Sequence, residues 1–123
     1  RRSRRPLDGT HGHPDISIAG IEANSGSLGM GISKAKGMAL AKKMNGAKGR
    51  VMVMTGDGDS MAIGGNHFIH ILRRNIDINI MLFNNKIYGL TKGQYSPTTP
   101  KGSVTKTSPD GTIENAFKAF LVA

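Results

Sequence analysis

The 123-residue sequence has no cysteine, no tryptophan, no aromatic residues beyond four Phe and two Tyr, and only eight acidic side chains. Each shortage excludes something. Without cysteine the chain holds no disulfide frame, no thiolate zinc site and no cysteine-ligated iron–sulfur cluster. Its longest unbroken apolar stretch is a handful of residues, against the ~20 that a membrane span needs. The opening arginines lead into Pro6 and Asp8 rather than an apolar signal segment, which reads as a soluble, cytoplasmic protein with no membrane partner. Eight acids against 17 Lys+Arg leave a net charge of +9, which favours anionic partners without choosing among phosphates, nucleic acid and acidic surfaces. With so few aromatics and no stacking motif, any nucleic-acid binding is expected to be nonspecific and salt-sensitive.

What is present suits one folded domain. The length leaves no room for a second core. Hydrophobic residues at 37%, with 17 Gly, bring the apolar share to about half, inside the globular range. Residues 1–15, RRSRRPLDGTHGHPD, have no hydrophobic period and read as an exposed arm or loop, with a fusion scar as the alternative; residues 16–123 form the domain. Residues 32–45, rich in Ala, Lys and Met, put Ile32, Ala35, Met38 and Ala39 on one side of a helix that Gly46 would stop. The apolar runs 50–55 and 78–83 read as parallel strands buried on both faces. Between them residues 66–74 have helical spacing, with Phe68, Ile71 and Leu72 on one stripe, which completes one right-handed βαβ unit. The stretch after Asn85 carries three of the five prolines and reads as a long loop, and such loops are functional or disordered. Ala116, Phe117 and Phe120 suggest a short amphipathic helix at the tail.

Parallel strands send their following loops to one edge, where open α/β sheets bind ligands. Asp57 and Asn85 therefore converge if the two strands are neighbours at ~4.8 Å. A carboxylate oxygen, an amide oxygen and a backbone carbonyl, that of Ile87, suit a hard octahedral cation such as Mg²⁺, which keeps positions for water and phosphate. Gly56, Gly58, Gly64 and Gly65 would let backbone N–H groups approach the anion, with a helix opening near Gly65. The competing reading of Asp57 and Asn85 is a pair of turn formers. His67 and His70 read as helix-face residues, and His11 and His13 as a solvated loop. A calcium loop at Asp57 fails, because its fifth and twelfth positions are Met61 and Phe68. Gly26 to Gly31 does not form a dinucleotide fingerprint.

Gly56-Asp57-Gly58, then residues 59–83, then Asn84-Asn85 resembles the thiamine diphosphate motif, and residues 56–109 are similar to the β subunit of 2-oxoacid:ferredoxin oxidoreductases. Residues 12–45, with GHPD and GIEANSGSLGMG, resemble the N-terminal region of transketolase. The two resemblances meet at GDG, which suggests a chimera, a reconstruction or a minimised domain, with a divergent natural fragment as the alternative. They imply an α/β fold: the three-layer, mainly parallel sheet of the diphosphate-binding module, in truncated form.

Residue by residue, the resemblance implies thiamine diphosphate and Mg²⁺ as cofactors, with Asp57, Asn85 and the Ile87 carbonyl as metal ligands. Gly56, Gly58 and Asp59 would lie at the diphosphate, Gly58 offering a backbone N–H. Gly26 and Leu28 match the turn that touches the aminopyrimidine and thiazolium rings, and His13 the histidine near substrate. Lys92, seven residues beyond Asn85, is a candidate for a 2-oxoacid carboxylate. In both families the glutamate that activates the pyrimidine comes from a separate domain or subunit. Glu22 and Glu114, the only glutamates here, sit in no matching motif. The chain is then half an active site, completed by a pyrimidine-domain partner subunit or a second copy, and acting on a 2-oxoacid or a sugar phosphate. The alternatives are a transketolase-like fragment, a cofactor-binding scaffold without turnover, and a basic nucleic-acid module.

Overall fold

The computed structural model describes residues 16–24 and 26–118. The proposed arm at 1–15, with His13, and the last five residues lie outside the described residues. Alanine, lysine and methionine favour a helix, and α1 runs Met30–Met44 with Ile32 and Ala35 buried. It ends as the sequence predicts. Gly46 takes a left-handed φ of 63°, its N–H bonds Lys43 O, and the Ala47 N–H bonds Lys42 O, which closes the helix in a Schellman turn. At the other end no side chain within the first turn caps α1. The carboxylate of Asp59, thirty residues on, accepts the Gly29 N–H instead and places a negative charge at the positive end of the helix.

Strand β1, Val51–Gly56, pairs in parallel with β2, Ile78–Phe83, in a register that runs from Val51↔Ile78 to Gly56↔Phe83. Between them comes a π-helical turn, Asp59–Ile63, followed by α2, Gly65–Arg73. Helical conformation begins at Asp57 itself, directly off the strand end, and α2 opens at Gly65, as the sequence predicts. Ile32, Ala35, Val53, Phe68 and Ile71 form the buried core, which places both helices on one face of the sheet.

The other face is open among the described residues. Burial alternates along both strands, and Met52, Met54, Met81 and Phe83 are all exposed. The predicted burial on both faces is therefore corrected to one. The α/β fold with a parallel sheet stands, and of the three layers expected the described residues supply two. After β2, the strands β3, Ile87–Tyr88, and β4, Gln94–Tyr95, form a small antiparallel hairpin. The long loop is thus ordered by its own hydrogen bonds. Among them, Phe117 N–H bonds Pro97 O at 2.7 Å, and residues 114–118 are not helical. The tail helix predicted from Ala116 and Phe117 is absent from that stretch because the backbone docks on the loop instead. Phe120 lies outside the described residues.

Gly29 and Gly64 meet backbone to backbone. A Cβ on Gly29, whose φ is +80°, would stand 2.6 Å from Gly64 N. Gly29→Ala is expected to cost about 3 kcal/mol, combining overpacking and left-handed strain. Gly46→Ala, in open space, should lose only about 1 kcal/mol. Urea unfolding of both variants checks this; equal losses would contradict the close approach.

Candidate functional site

The strand register decides which side chains meet. Gly56 pairs with Phe83, so Asp57 comes opposite Asn84, one residue short of the asparagine the sequence singled out. Asp57 is 1% exposed. Its Oδ2 accepts hydrogen bonds from Ser96 Oγ and from Thr98 Oγ1, both at 2.5 Å. Thr98 Oγ1 also lies 2.8 Å from the Asn84 side chain. A hydroxyl has one proton, so Thr98 shares it between Asp57 Oδ2 and Asn84 Oδ1, which both accept from the same Oγ1.

The same hydroxyl segment holds the turn after β2. Thr99 Oγ1 accepts the Ser96 N–H at 2.8 Å and donates to Lys86 O at 2.6 Å. Lys86 is left-handed at φ 61°. Asn85 is exposed, and its Oδ1 accepts the Ile87 N–H at 3.2 Å in an Asx turn. The predicted ligands Asp57, Asn85 and Ile87 thus fall at one edge of the sheet, and the side chain brought to Asp57 through Thr98 is that of Asn84.

Asp57 is a buried carboxylate without a counter-ion. Among the described residues no basic side chain forms an ion pair with it, and both of its donors converge on Oδ2, leaving Oδ1 uncommitted. Buried charges are ordinarily paired or bound to metal. The donor set available here, carboxylate, amide and carbonyl oxygen, suits Mg²⁺. No group of three or more His, Asp or Glu able to hold a metal occurs among the described residues.

Asp59 and Gly58 have structural partners. The Asp59 carboxylate accepts from Thr55 Oγ1 at 2.6 Å and from the Gly29 N–H, which ties the front segment to the end of β1. Gly26 and Leu28 lie in the exposed turn just before that anchor. Gly58 is where Tyr88 packs: a Cβ there would stand 2.2 Å from Tyr88 Cε1, and the Tyr88 hydroxyl donates to Gly58 O at 2.9 Å. Lys92 is exposed in the β3–β4 turn with φ 60°. A cavity of about 250 Å³ lies beside the site, walled by Tyr88, Tyr95, Ser96 and Glu114 among others. Asp57 and Asn85 are not part of its wall.

Sequence reasoning missed Ser96, Thr98, Thr99, Asn84 and Tyr88. The three hydroxyls stand in Ser96-Pro97-Thr98-Thr99-Pro100, where two prolines stiffen the backbone, a signal that a plain loop assignment passes over. Asn84 follows from counting strand lengths in register.

With this geometry in place, comparison with known proteins gives one answer. Residues 14–123 match the family model described as thiamine pyrophosphate enzyme, C-terminal TPP binding domain. The chain is 55% identical over 89 residues to the 2-oxoglutarate oxidoreductase subunit KorB of Mycobacterium tuberculosis, covering 72% of this chain and 23% of that one. It is 51% identical over 111 residues to the 2-oxoglutarate synthase subunit KorB of Methanothermobacter thermautotrophicus, covering 90% and 32%. Among solved structures, the 2-oxoglutarate:ferredoxin oxidoreductase from Magnetococcus marinus, with 2-oxoglutarate, coenzyme A and succinyl-CoA bound, matches with a TM-score of 0.71 at 39% identity, over 76% of this chain and 31% of that one. The chain spans about a quarter to a third of the relatives it matches. The 111-residue match runs across both halves, so a composite origin is not needed to account for the front half.

Burial, then repulsion from Asp57 and Asp59, raises the Tyr88 phenol above its ordinary range. A raised folded value means the associated stability is complete below the usual tyrosine pKa of ~10 and is lost as pH climbs through the folded value. In a Tyr95→Phe background, phenolate absorbance should report this late ionisation, and Asp59→Asn should bring it earlier. An unmoved midpoint would contradict the assigned contacts.

Proposed function

Since the chain belongs to the thiamine pyrophosphate enzyme family, as its C-terminal TPP-binding domain, we propose that it binds the diphosphate end of thiamine diphosphate through Mg²⁺, within a β-type subunit of a 2-oxoacid:ferredoxin oxidoreductase. The observation that carries this reading is the buried, unpaired Asp57 carboxylate at a parallel strand end, opposite the Asn84–Asn85 turn. When bound, the cofactor supplies the carbanion stabilisation that 2-oxoacid chemistry requires.

The chain's own residues have distinct tasks. Asp57 offers Oδ1 to the metal, joined by the Asn85 side chain and the Ile87 carbonyl. Ser96 and Thr98 hold the carboxylate in one orientation, as outer partners of metal ligands do. Thr99 fixes the turn that carries Asn85 and Ile87. Gly56 and Gly58 let the backbone face the diphosphate, and Tyr88 closes one side of Gly58 against water. Asp59 is a positioning residue: it keeps the Gly26–Leu28 turn at this edge, toward the ring end of the cofactor. Lys92 reaches for the carboxylate of the 2-oxoacid, with 2-oxoglutarate the substrate suggested by the relatives' names. The carboxylate that activates the pyrimidine comes from a partner subunit.

Calorimetry with thiamine diphosphate should show binding that requires Mg²⁺ and is lost in Asp57→Ala. Ser96→Ala combined with Thr98→Val should weaken metal-dependent binding about 10- to 100-fold. Binding that is indifferent to Mg²⁺ and to Asp57, and that fades with salt, would instead mark a nonspecific basic surface. A separate check applies to Lys92→Ala, which should weaken 2-oxoacid binding while leaving cofactor affinity within about twofold, a few tenths of a kcal/mol; the reverse pattern would remove Lys92 from the substrate side.

A further inference from the structure

A second concave feature lies on the helical side of the sheet. Helices α1 and α2 enclose a cleft of about 290 Å³ lined by Ile32, Ser33, Lys36, Gly37, His67, His70 and Arg74. Its apolar floor is the buried Ile32. Apart from the Ser33 hydroxyl its polar side chains are basic, and they converge from two elements: Lys36 from α1, and His67, His70 and Arg74 from one face of α2 and its end. No acidic residue lines the cleft, and among the described residues none of these four forms an ion pair.

Arg74 has a local task, since its Nη1 donates to His70 O at 3.3 Å and its charge suits the end of a helix. That does not account for Gly37. It stands in the middle of α1, where glycine weakens a helix relative to alanine. A Cβ there would meet no heavy atom within 4 Å among the described residues, so none of them requires its absence. The position faces the cleft, and a bare backbone there leaves room for an occupant to approach.

We propose that this cleft is a phosphate-binding site, separate from the Asp57 edge. The occupant is a phosphate dianion, free or as a phosphomonoester, held by Lys36, His67, His70 and Arg74 with Gly37 giving it clearance. The small concave volume, at the lower end of small-molecule sites, favours this over an extended acidic surface of another protein.

Amide NMR of the chain at constant ionic strength tests the assignment, with inorganic phosphate and ribose 5-phosphate as probes and chloride as control. Saturable shifts are expected at Gly37, His67, His70 and Arg74. Similar affinities would indicate free phosphate as the occupant, and a tenfold preference for ribose 5-phosphate would indicate a phosphorylated metabolite. Lys36→Ala combined with Arg74→Ala should weaken binding at least tenfold, while Lys101→Ala combined with Lys106→Ala, which removes equal charge from exposed positions elsewhere, leaves it unchanged. Gly37→Ala should raise the unfolding midpoint and weaken phosphate binding, which keeps the test independent of any loss of folding. Shifts scattered over surface cations, shifts confined to residues 57–59 and 84–87, or saturation by an acidic peptide but not by phosphate would each overturn the proposal.

Discussion

One buried carboxylate organises this molecule. Asp57 sits one residue beyond the last β1–β2 pair, Gly56↔Phe83, almost without solvent, held by two hydroxyls on a single oxygen and facing no cation among the described residues. Two neutral donors orient such a charge and satisfy half of it. The remaining oxygen accepts no hydrogen bond among the described residues, and it is there, beside the oxygen-rich turn after β2, that the proposed function seats a hard cation.

Much of the surrounding architecture serves to keep that edge in place. The π-helical turn begins at Asp59, three residues past the strand end at Gly56, and such turns are frequent at functional sites. It carries Asp59 back to Thr55 and across to Gly29, so the start of α1, the end of β1 and the glycine-rich front turn share one anchor. From the other side the hydroxyl segment Ser96–Thr99 connects Asp57 to Lys86, and Tyr88 lies on Gly58. Three regions far apart in sequence are thereby locked to one strand end. The exposed Met52, Met54, Met81 and Phe83 on the opposite face accord with a chain that covers only 23–32% of relatives such as those from Mycobacterium and Methanothermobacter.

The βαβ unit was readable from sequence because its signals are local. Apolar runs of strand length, the Phe68–Ile71 stripe and the Gly46 stop each act within one element, and the observed α1, β1, α2 and β2 follow them closely. Asp57 and the Asn84–Asn85 turn fall at one edge of the sheet, as the rule that parallel strands emit their loops together predicts. What escaped was set by register and by long-range closure. Asn84 rather than Asn85 faces Asp57 because both strands end in step, a fact that no single strand reveals. The partners Ser96 and Thr98 lie about forty residues from Asp57, and periodicity has no reach over that distance. The expected double burial of the sheet failed for a related reason: hydrophobicity on both faces of a strand states what could be covered, not which part of the protein covers it.

The most direct measurement replaces Mg²⁺ with Mn²⁺ in the presence of thiamine diphosphate and follows paramagnetic broadening of backbone amides. The earliest and strongest broadening is expected at Asp57, Asn84, Asn85 and Ile87, and it should disappear in Asp57→Ala. Broadening centred elsewhere on the chain, or undiminished without the Asp57 carboxylate, would contradict it.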